Sequence, residues 1–484
     1  MNNSVDCLFV TVPFTDTRQP LMAAGILRSI ADKANKTSAT LDFNAEFIHL
    51  LDSMPEEERF STLAFLREED HNDLDIKKIQ DLFHNMAKKV IETSPTYVGI
   101  SVFTYNCRVA AKYLSWFIKK INPKIKIILG GSGIIKHING RATFAESLLK
   151  NKLIDVFIYG DGEQALYHYL STGKTNYPGI NKHFWTPMNS QELEALPSPD
   201  YNDYNFSLYE EPIMLPIIGS RGCVRKCTFC DVHTHWTKFG YRGGEHIFEE
   251  MKEHAEKFDI YQFHFGDSLV NGNLKEYRKM VKLIAEYNKN QPIEKRISWV
   301  GQFIFRPKSQ FTEEDWRLTA EGGGDVMIAG IESINDQVRE QIGKKFTNED
   351  IKFSFDMAKK YGKVRFTLLF LTGYPGETDA DYDFLEQWVR DLAKNYKDVI
   401  HGINTGVPLG VLENTPLQDN FDAMGMVSVG PAPEDWELPG TDNTPKKRVE
   451  WNERFVKVVT DCGFRVATGH DAHHIIERVR RRNA

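Results

Sequence analysis

The chain has 484 residues, of which 41% are hydrophobic, 26% charged and 12% aromatic. That length exceeds one compact core, so two or three domains are expected, and the composition excludes a disordered or fibrous chain. A formal net charge of -7 argues against a nucleic-acid coat or a polybasic membrane anchor, and six cysteines are too few for a disulfide scaffold.

In chain order, DCLFVTV (6–12) reads as a buried strand stopped by Pro13, and LMAAGILRSIADKANK (21–36) has helical spacing. ATLDFN (39–44) is strand-like. Residues 45–95 are charged and helical, either an elaboration or a substrate cover. Strand YVGISVF (97–103), helix RVAAKYLSWFIKKI (108–121), strand IKIILGG (125–131), strand IDVFIYGDGE (154–163) and helix EQALYHYL (163–170) continue the alternation. An α/β fold follows, with a doubly wound, Rossmann-like parallel sheet over residues 1–170 and ligands beyond the carboxyl ends of its strands. Those ends are Thr11 to Phe14, Ser101 to Thr104, Gly130 to Gly133 and Gly160 to Glu163.

Residues 171–205 are dense in Pro, Asn, Ser and Gly without a period, which marks a linker. Phe184, Trp185 and Tyr201 interrupt it, so it should be packed rather than free. From 206 to 410 six strand candidates alternate with helices: 213–220, 261–267, 297–305, 325–333, 364–373 and 399–409. Six βα units predict a partial (β/α)6 barrel of TIM type, with its chemistry at the carboxyl ends of the strands. Residues 411–484 form a small mixed α/β extension ending in the basic helix HHIIERVRRR. No stretch of ~18 apolar residues appears. The N-terminus MNNSVDCLFV also lacks a charged segment followed by a long apolar one, so a soluble cytoplasmic protein is expected.

Cys7, Cys107 and Cys462 are scattered and read as small buried hydrophobes. Cys223, Cys227 and Cys230 instead fall as C-x3-C-x2-C directly after the first of the six strands. Three thiolates on one loop can ligate three corners of a [4Fe–4S] cluster and leave one iron open to an external molecule. A structural zinc site completed by His233 or His235 is the alternative. His233, His235 and Trp236 either line a cofactor entrance or pack the loop. The glycine run EGGG (321–324) precedes a strand instead of opening a helix, so it is a turn and not a phosphate loop. His470, His473 and His474 are expected to face solvent, and the terminal RVRRR suits the dipole of a helix end.

The stretch GSRGCVRKCTFCDV (219–232) resembles the C-x3-C-x-aromatic-C signature of the radical SAM enzymes, with Phe229 as the aromatic. The resemblance implies that the open iron chelates S-adenosylmethionine, which one electron cleaves to methionine and a 5′-deoxyadenosyl radical. Further stretches fit the same family over most of residues 210–400, and by that resemblance place Asp267, Gln302, Arg306, Glu332, Ser333 and Gly373, with Phe229, around S-adenosylmethionine.

The first domain resembles the cobalamin-binding domain that precedes the barrel in one radical SAM class, through PLMAAGILRSI (20–30), YVGISVFTYN (97–106), IKIILGGSG (125–133) and DVFIYGDGEQAL (155–166). This implies cobalamin over the strand ends, near Thr11, Pro13, Ser101, Phe103, Gly130, Gly131, Gly160 and Glu163. The chain departs from that class in lacking D-x-H-x-x-G after the first strand, where it reads TVPFTDTRQP, so no histidine would lie beneath the cobalt. The activity implied is cobalamin-dependent C-methylation of a small-molecule or peptide substrate, with an external reductant such as flavodoxin or ferredoxin and no membrane or nucleic-acid partner. A non-methylating radical reaction and a non-catalytic metal-binding protein are the competing readings.

Overall fold

Short apolar strands followed by amphipathic helices can satisfy their backbones and bury their apolar faces together only as parallel sheets covered by helices. The computed structural model describes residues 4–13, 15, 17–67, 76–134 and 143–467, and the predicted tail helix with His470, His473 and His474 lies outside them. The described residues divide into two units, the first built from residues up to 188 with 195–214, the second from 189–194 and 215–467.

The first unit runs β1 (Cys7–Thr11), α1 (Met22–Lys33), β2 (Ser38–Asp42), α2 (Phe43–Ser53), α3 (Glu56–Leu66), α4 (Ile76–Glu92), β3 (Tyr97–Ser101), α5 (Arg108–Ile121), β4 (Lys126–Gly130), α6 (Thr143–Lys150), β5 (Val156–Phe157) and α7 (Gly162–Thr172). Its five strands pair in the parallel order β2-β1-β3-β4-β5. This order reverses direction between β1 and β3, and that is where the fold opens a crevice. The sequence pattern extends the second strand to residue 44, but Asp42 ends it. Its carboxylate accepts from Asn44 N at 2.9 Å and Ala45 N at 3.2 Å, capping α2 instead. The helical insert joins the core: Phe43, Phe47, Leu63, Leu66 and Phe83 pack in one cluster with Leu8, Val98 and Ile127 of the sheet.

Residues 195–214 pack on α1. Arg28 pairs with Asp200 at 3.3 Å and Asp203 at 2.6 Å, Ser29 Oγ donates to Ser198 O at 2.7 Å, and Tyr201 is fully buried. Tyr209 donates its hydroxyl to Asp42.

The second unit begins with α8 (Ser190–Glu194). It continues through β6 (Leu215–Ile217), the short hairpin strands β7 (Ser220–Arg221) and β8 (Gly240–Tyr241) flanking α9 (Val232–His235), α10 (Gly244–Phe258), β9 (Gln262–Phe265), α11 (Leu274–Lys289), β10 (Ser298–Phe303), α12 (Glu313–Glu321), β11 (Gly324–Glu332), α13 (Asp336–Ile342), α14 (Asn348–Tyr361), β12 (Arg365–Phe370), α15 (Asp379–Asn395), β13 (Ile400–Asn404), α16 (Pro416–Asp419) and α17 (Pro445–Asp461). Six strands pair in parallel and in sequence order, from β6 through β9, β10, β11 and β12 to β13, as a partial barrel requires. Reciprocal capping boxes start α12, α14 and α15 at Thr312/Asp315, Thr347/Asp350 and Thr378/Asp381, which is why these helices begin where T-x-x-D occurs. At the β13 edge, Ile403 N donates to Arg465 O at 2.9 Å and Ala467 N to Ile403 O at 2.8 Å, so residues 465–467 continue the ladder. No helix among the described residues is long and apolar enough to cross a membrane.

Candidate functional site

The cysteine loop leaves the carboxyl end of β6 through β7, and the fold steers it with a buried carboxylate. Asp267, just past β9, accepts from Gly219 N at 2.7 Å and from Ser220 Oγ at 2.8 Å, so both of its oxygens hold the start of the loop. Burial pushes this carboxyl up to about 7 despite those donors.

Cys227 is buried, Cys223 and Cys230 are half-buried, and none is in a disulfide. Arg225 N donates to Cys223 Sγ at 3.4 Å. Burial raises the Cys227 thiol and pushes that of Cys230 up to about 11, so metal loading must displace protons here. Phe229 packs with Cys230 against an apolar cluster built on Cys227, Ile342, Tyr374, Leu409 and Leu417. Zinc requires its donors around one centre. Among the described residues no three His, Cys, Asp or Glu side chains gather that way. The irons of a cubane each take their own thiolate, so three free thiols on one loop, with an N–H donating to that of Cys223, suit a [4Fe–4S] cluster.

Beside this loop stands an ion pair. β11 is irregular between Gly330 and Glu332, and Glu332 adopts φ +69, a conformation that non-glycine residues take only when their surroundings enforce it. Its Oε1 accepts from Lys344 Nζ at 2.9 Å, and both side chains are over nine-tenths buried. Burial by itself would push the Lys344 ammonium down; Glu332 and Cys227 more than offset that and raise it. A Cβ at Gly330 would meet the Glu332 carboxylate and the Lys344 ammonium, so a side chain there would displace this ion pair.

Ser333 continues into a second buried carboxylate. Its Oγ donates to Glu377 Oε1 at 2.5 Å, while Glu377 Oε2 accepts from Gly373 N (2.9 Å), Tyr374 N (3.0 Å) and Tyr382 OH (2.9 Å). Glu377 thus ties the end of β11 to the turn after β12, and burial pushes its carboxyl up to about 7. The reason Gly373 lacks a side chain lies in the chain itself: at φ +86, a Cβ would run into Arg448 of α17. Gln302 sits half-buried on β10, in register with Ile328 of β11. Arg306 Nη2 donates to the carbonyls of Asn271 at 2.7 Å and Gly272 at 3.1 Å, close enough to Cys223 to feel its charge. Burial lowers this guanidinium to about 10. Lys344, Tyr374 and Glu377 lie in stretches that fit the family, 328–347 and 369–378, but the sequence did not single them out.

In the first unit, Thr11, Ser101 and Gly130 share one row of the register at the carboxyl ends of β1, β3 and β4. Thr11, Pro13, Ser101 and Glu163 are buried, whereas Phe103 is 41% and Tyr105 63% exposed, next to exposed Gly131. Gly131 adopts φ +99 against Val102 O, and Gly160 adopts φ +86 with the Trp185 ring where its side chain would be. Two exposed aromatics beside bare glycine backbone at the switch point fit a flat, largely apolar group laid across the strand ends.

Residues 217–389 match the model of the radical SAM superfamily. The chain is 24% identical over 362 residues to cytidylyl-2-hydroxyethylphosphonate methyltransferase of Streptomyces wedmorensis, covering 63% of this chain and 64% of that one. It is 23% identical over 227 residues to bacteriochlorophyllide d C-12(1)-methyltransferase of Chlorobaculum tepidum, covering 44% and 46%. The matched part is therefore less than two thirds of either relative. Among solved structures, TsrM from Kitasatospora setae, a radical S-adenosylmethionine methyltransferase with cobalamin and a [4Fe–4S] cluster bound, superposes with a TM-score of 0.61 at 16% identity, over 98% of this chain and 87% of that one. OxsB, a cobalamin-dependent S-adenosylmethionine radical enzyme, gives 0.60 at 14% identity over 99% and 62%. At such identities the likeness is one of fold. The segment that matches the radical SAM superfamily model, residues 217–389, contains the three-cysteine loop and four of the six strands of the parallel half-barrel, β9 to β12, with the helices between them, so the likeness to that family rests on this part of the chain.

Proposed function

We propose that the chain is a cobalamin-dependent radical SAM enzyme that methylates carbon on a small-molecule or peptide substrate, fed electrons by an external reductant such as flavodoxin or ferredoxin. The observation that carries this reading is one chain holding both a three-thiol loop at a barrel strand end and a five-stranded parallel sheet whose switch point presents Phe103 and Tyr105. A bound cluster with S-adenosylmethionine supplies the radical that removes a hydrogen atom, and bound cobalamin supplies the methyl carrier.

The chain's own residues do the holding and shielding. Cys223, Cys227 and Cys230 hold the cluster. Glu332 and Lys344 present opposite charges beside it, matched to the amino and carboxylate groups of an amino acid such as methionine. Phe229 and the apolar cluster around it keep water from the metal site. Ser333, Gln302, Arg306 and Gly373 border the same strand ends, with Asp267 supporting from behind. On the first unit, Thr11, Pro13, Ser101, Phe103, Gly130, Gly131, Gly160 and Glu163 at the strand ends would hold cobalamin.

Anaerobic expression with cobalamin supplied tests this directly. Purified protein should show both chromophores, and turnover should yield 5′-deoxyadenosine and S-adenosylhomocysteine in equal amounts with methylated product. The second reading is radical chemistry without methylation, with or without cobalamin. Deoxyadenosine formed without S-adenosylhomocysteine would select it.

A further inference from the structure

Thr228 sits between Cys227 and Phe229, and each of its polar groups is held by a different part of the second unit. Its N donates to Ile342 O at the end of α13 (3.0 Å), and its carbonyl accepts from Leu417 N in α16 (2.8 Å). Its Oγ1 meets Tyr374 OH at 2.8 Å, across 146 residues of sequence. Tyr374 is a fixed anchor. It is fully buried, its N is bound by Glu377 at 3.0 Å, and its carbonyl accepts from Asn443 Nδ2 at 3.1 Å. Asn443 is in turn fixed through its Oδ1 by Arg448 Nη1 at 2.8 Å. Leu417, Met426 and Trp436 of the extension pack in one core with Cys227, Ile342 and Tyr374.

We infer that Thr228 and Tyr374 are positioning residues for the iron–sulfur cluster, and that the extension after β13, residues 411–461, is a structural part of the cluster site. The inference rests on the reading that the trio binds a cluster. A loop carrying three ligands sets the orientation of the open iron, and the potential of a cluster follows the hydrogen bonds to its sulfurs and its exposure to water. One more electron makes the cluster more negative, so admitting water favours the reduced form. Hydrogen bonds to Thr228 from three sides hold in place the loop that carries Cys223, Cys227 and Cys230.

The test uses the full chain, reconstituted anaerobically with iron and sulfide, in wild-type form and as Thr228→Val, Thr228→Ser and Tyr374→Phe. Redox titration followed by electron paramagnetic resonance gives the midpoint potential. Thr228→Val and Tyr374→Phe should keep their iron and shift to a less negative potential by about tenfold in the one-electron equilibrium constant, or about 59 mV. Thr228→Ser, which retains the hydroxyl, should match wild type. If the valine variant instead loses iron while the serine variant keeps it, the hydroxyl is again shown to position the loop. Wild-type potentials and spectra in both the valine and phenylalanine variants overturn the inference, as does iron loss from the serine variant. Wild-type protein that takes up no cluster overturns the earlier reading, a distinct result.

Discussion

Lys344 Nζ donates to Glu332 Oε1 at 2.9 Å inside the second unit, and both charges act on the loop that carries Cys223 and Cys227. A buried pair of this kind penalises loss of either member more than loss of both, because one partner alone leaves an uncompensated charge. Lys344→Met should therefore destabilise the metal-free protein by about 3–5 kcal/mol, and Lys344→Met with Glu332→Gln by less. Guanidinium unfolding of the two variants against wild type measures the difference.

The two buried carboxyls give a pH signature. Asp267 and Glu377 are both pushed up to about 7, above their unfolded values, so the folded chain binds their protons more tightly than the unfolded chain does. Their contribution to stability is complete below about pH 4 and is lost as pH rises through 7. From pH 5.5 to 7 each should cost the folded state up to about 2 kcal/mol. Unfolding midpoints of metal-free protein across pH 5.5–8.5 should fall, and Asp267→Asn with Glu377→Gln should flatten that slope.

The cysteines divide into two groups. Cys223→Ala, Cys227→Ala and Cys230→Ala should each lower iron well below about four per chain and abolish deoxyadenosine formation. Cys462→Ala, which changes a half-buried residue at the end of α17, should leave both near wild type. Iron analysis and absorbance of anaerobically prepared protein decide this.

Phe103 and Tyr105 face solvent on the first unit, so their removal tests the corrin face without touching a core. Phe103→Ala with Tyr105→Ala should weaken cobalamin retention after desalting by about tenfold, roughly the effect of losing one to two kcal/mol of aromatic contact. The iron content should not change. Equal retention by variant and wild type would remove these residues from the cobalamin surface.

Much of this architecture was legible in the linear chain because its signals are local. Strand and helix periods repeat within a few residues, and C-x3-C-x2-C carries its signal in eight positions (223–230). What tertiary structure decided is how distant groups meet. Asp267 stood out as a pocket residue but holds the start of the cysteine loop, Gly373 is small because of Arg448, and Gly160 because of Trp185. Lys344, Glu377 and Tyr374 fall within family-like stretches yet were not singled out, since hydrogen bonds and ion pairs between buried groups depend on three-dimensional distance and not on spacing along the chain. The candidate ligand trio was thus visible in the sequence, whereas the charges and hydrogen bonds around its loop exist only once the strands and helices of the second unit have packed together.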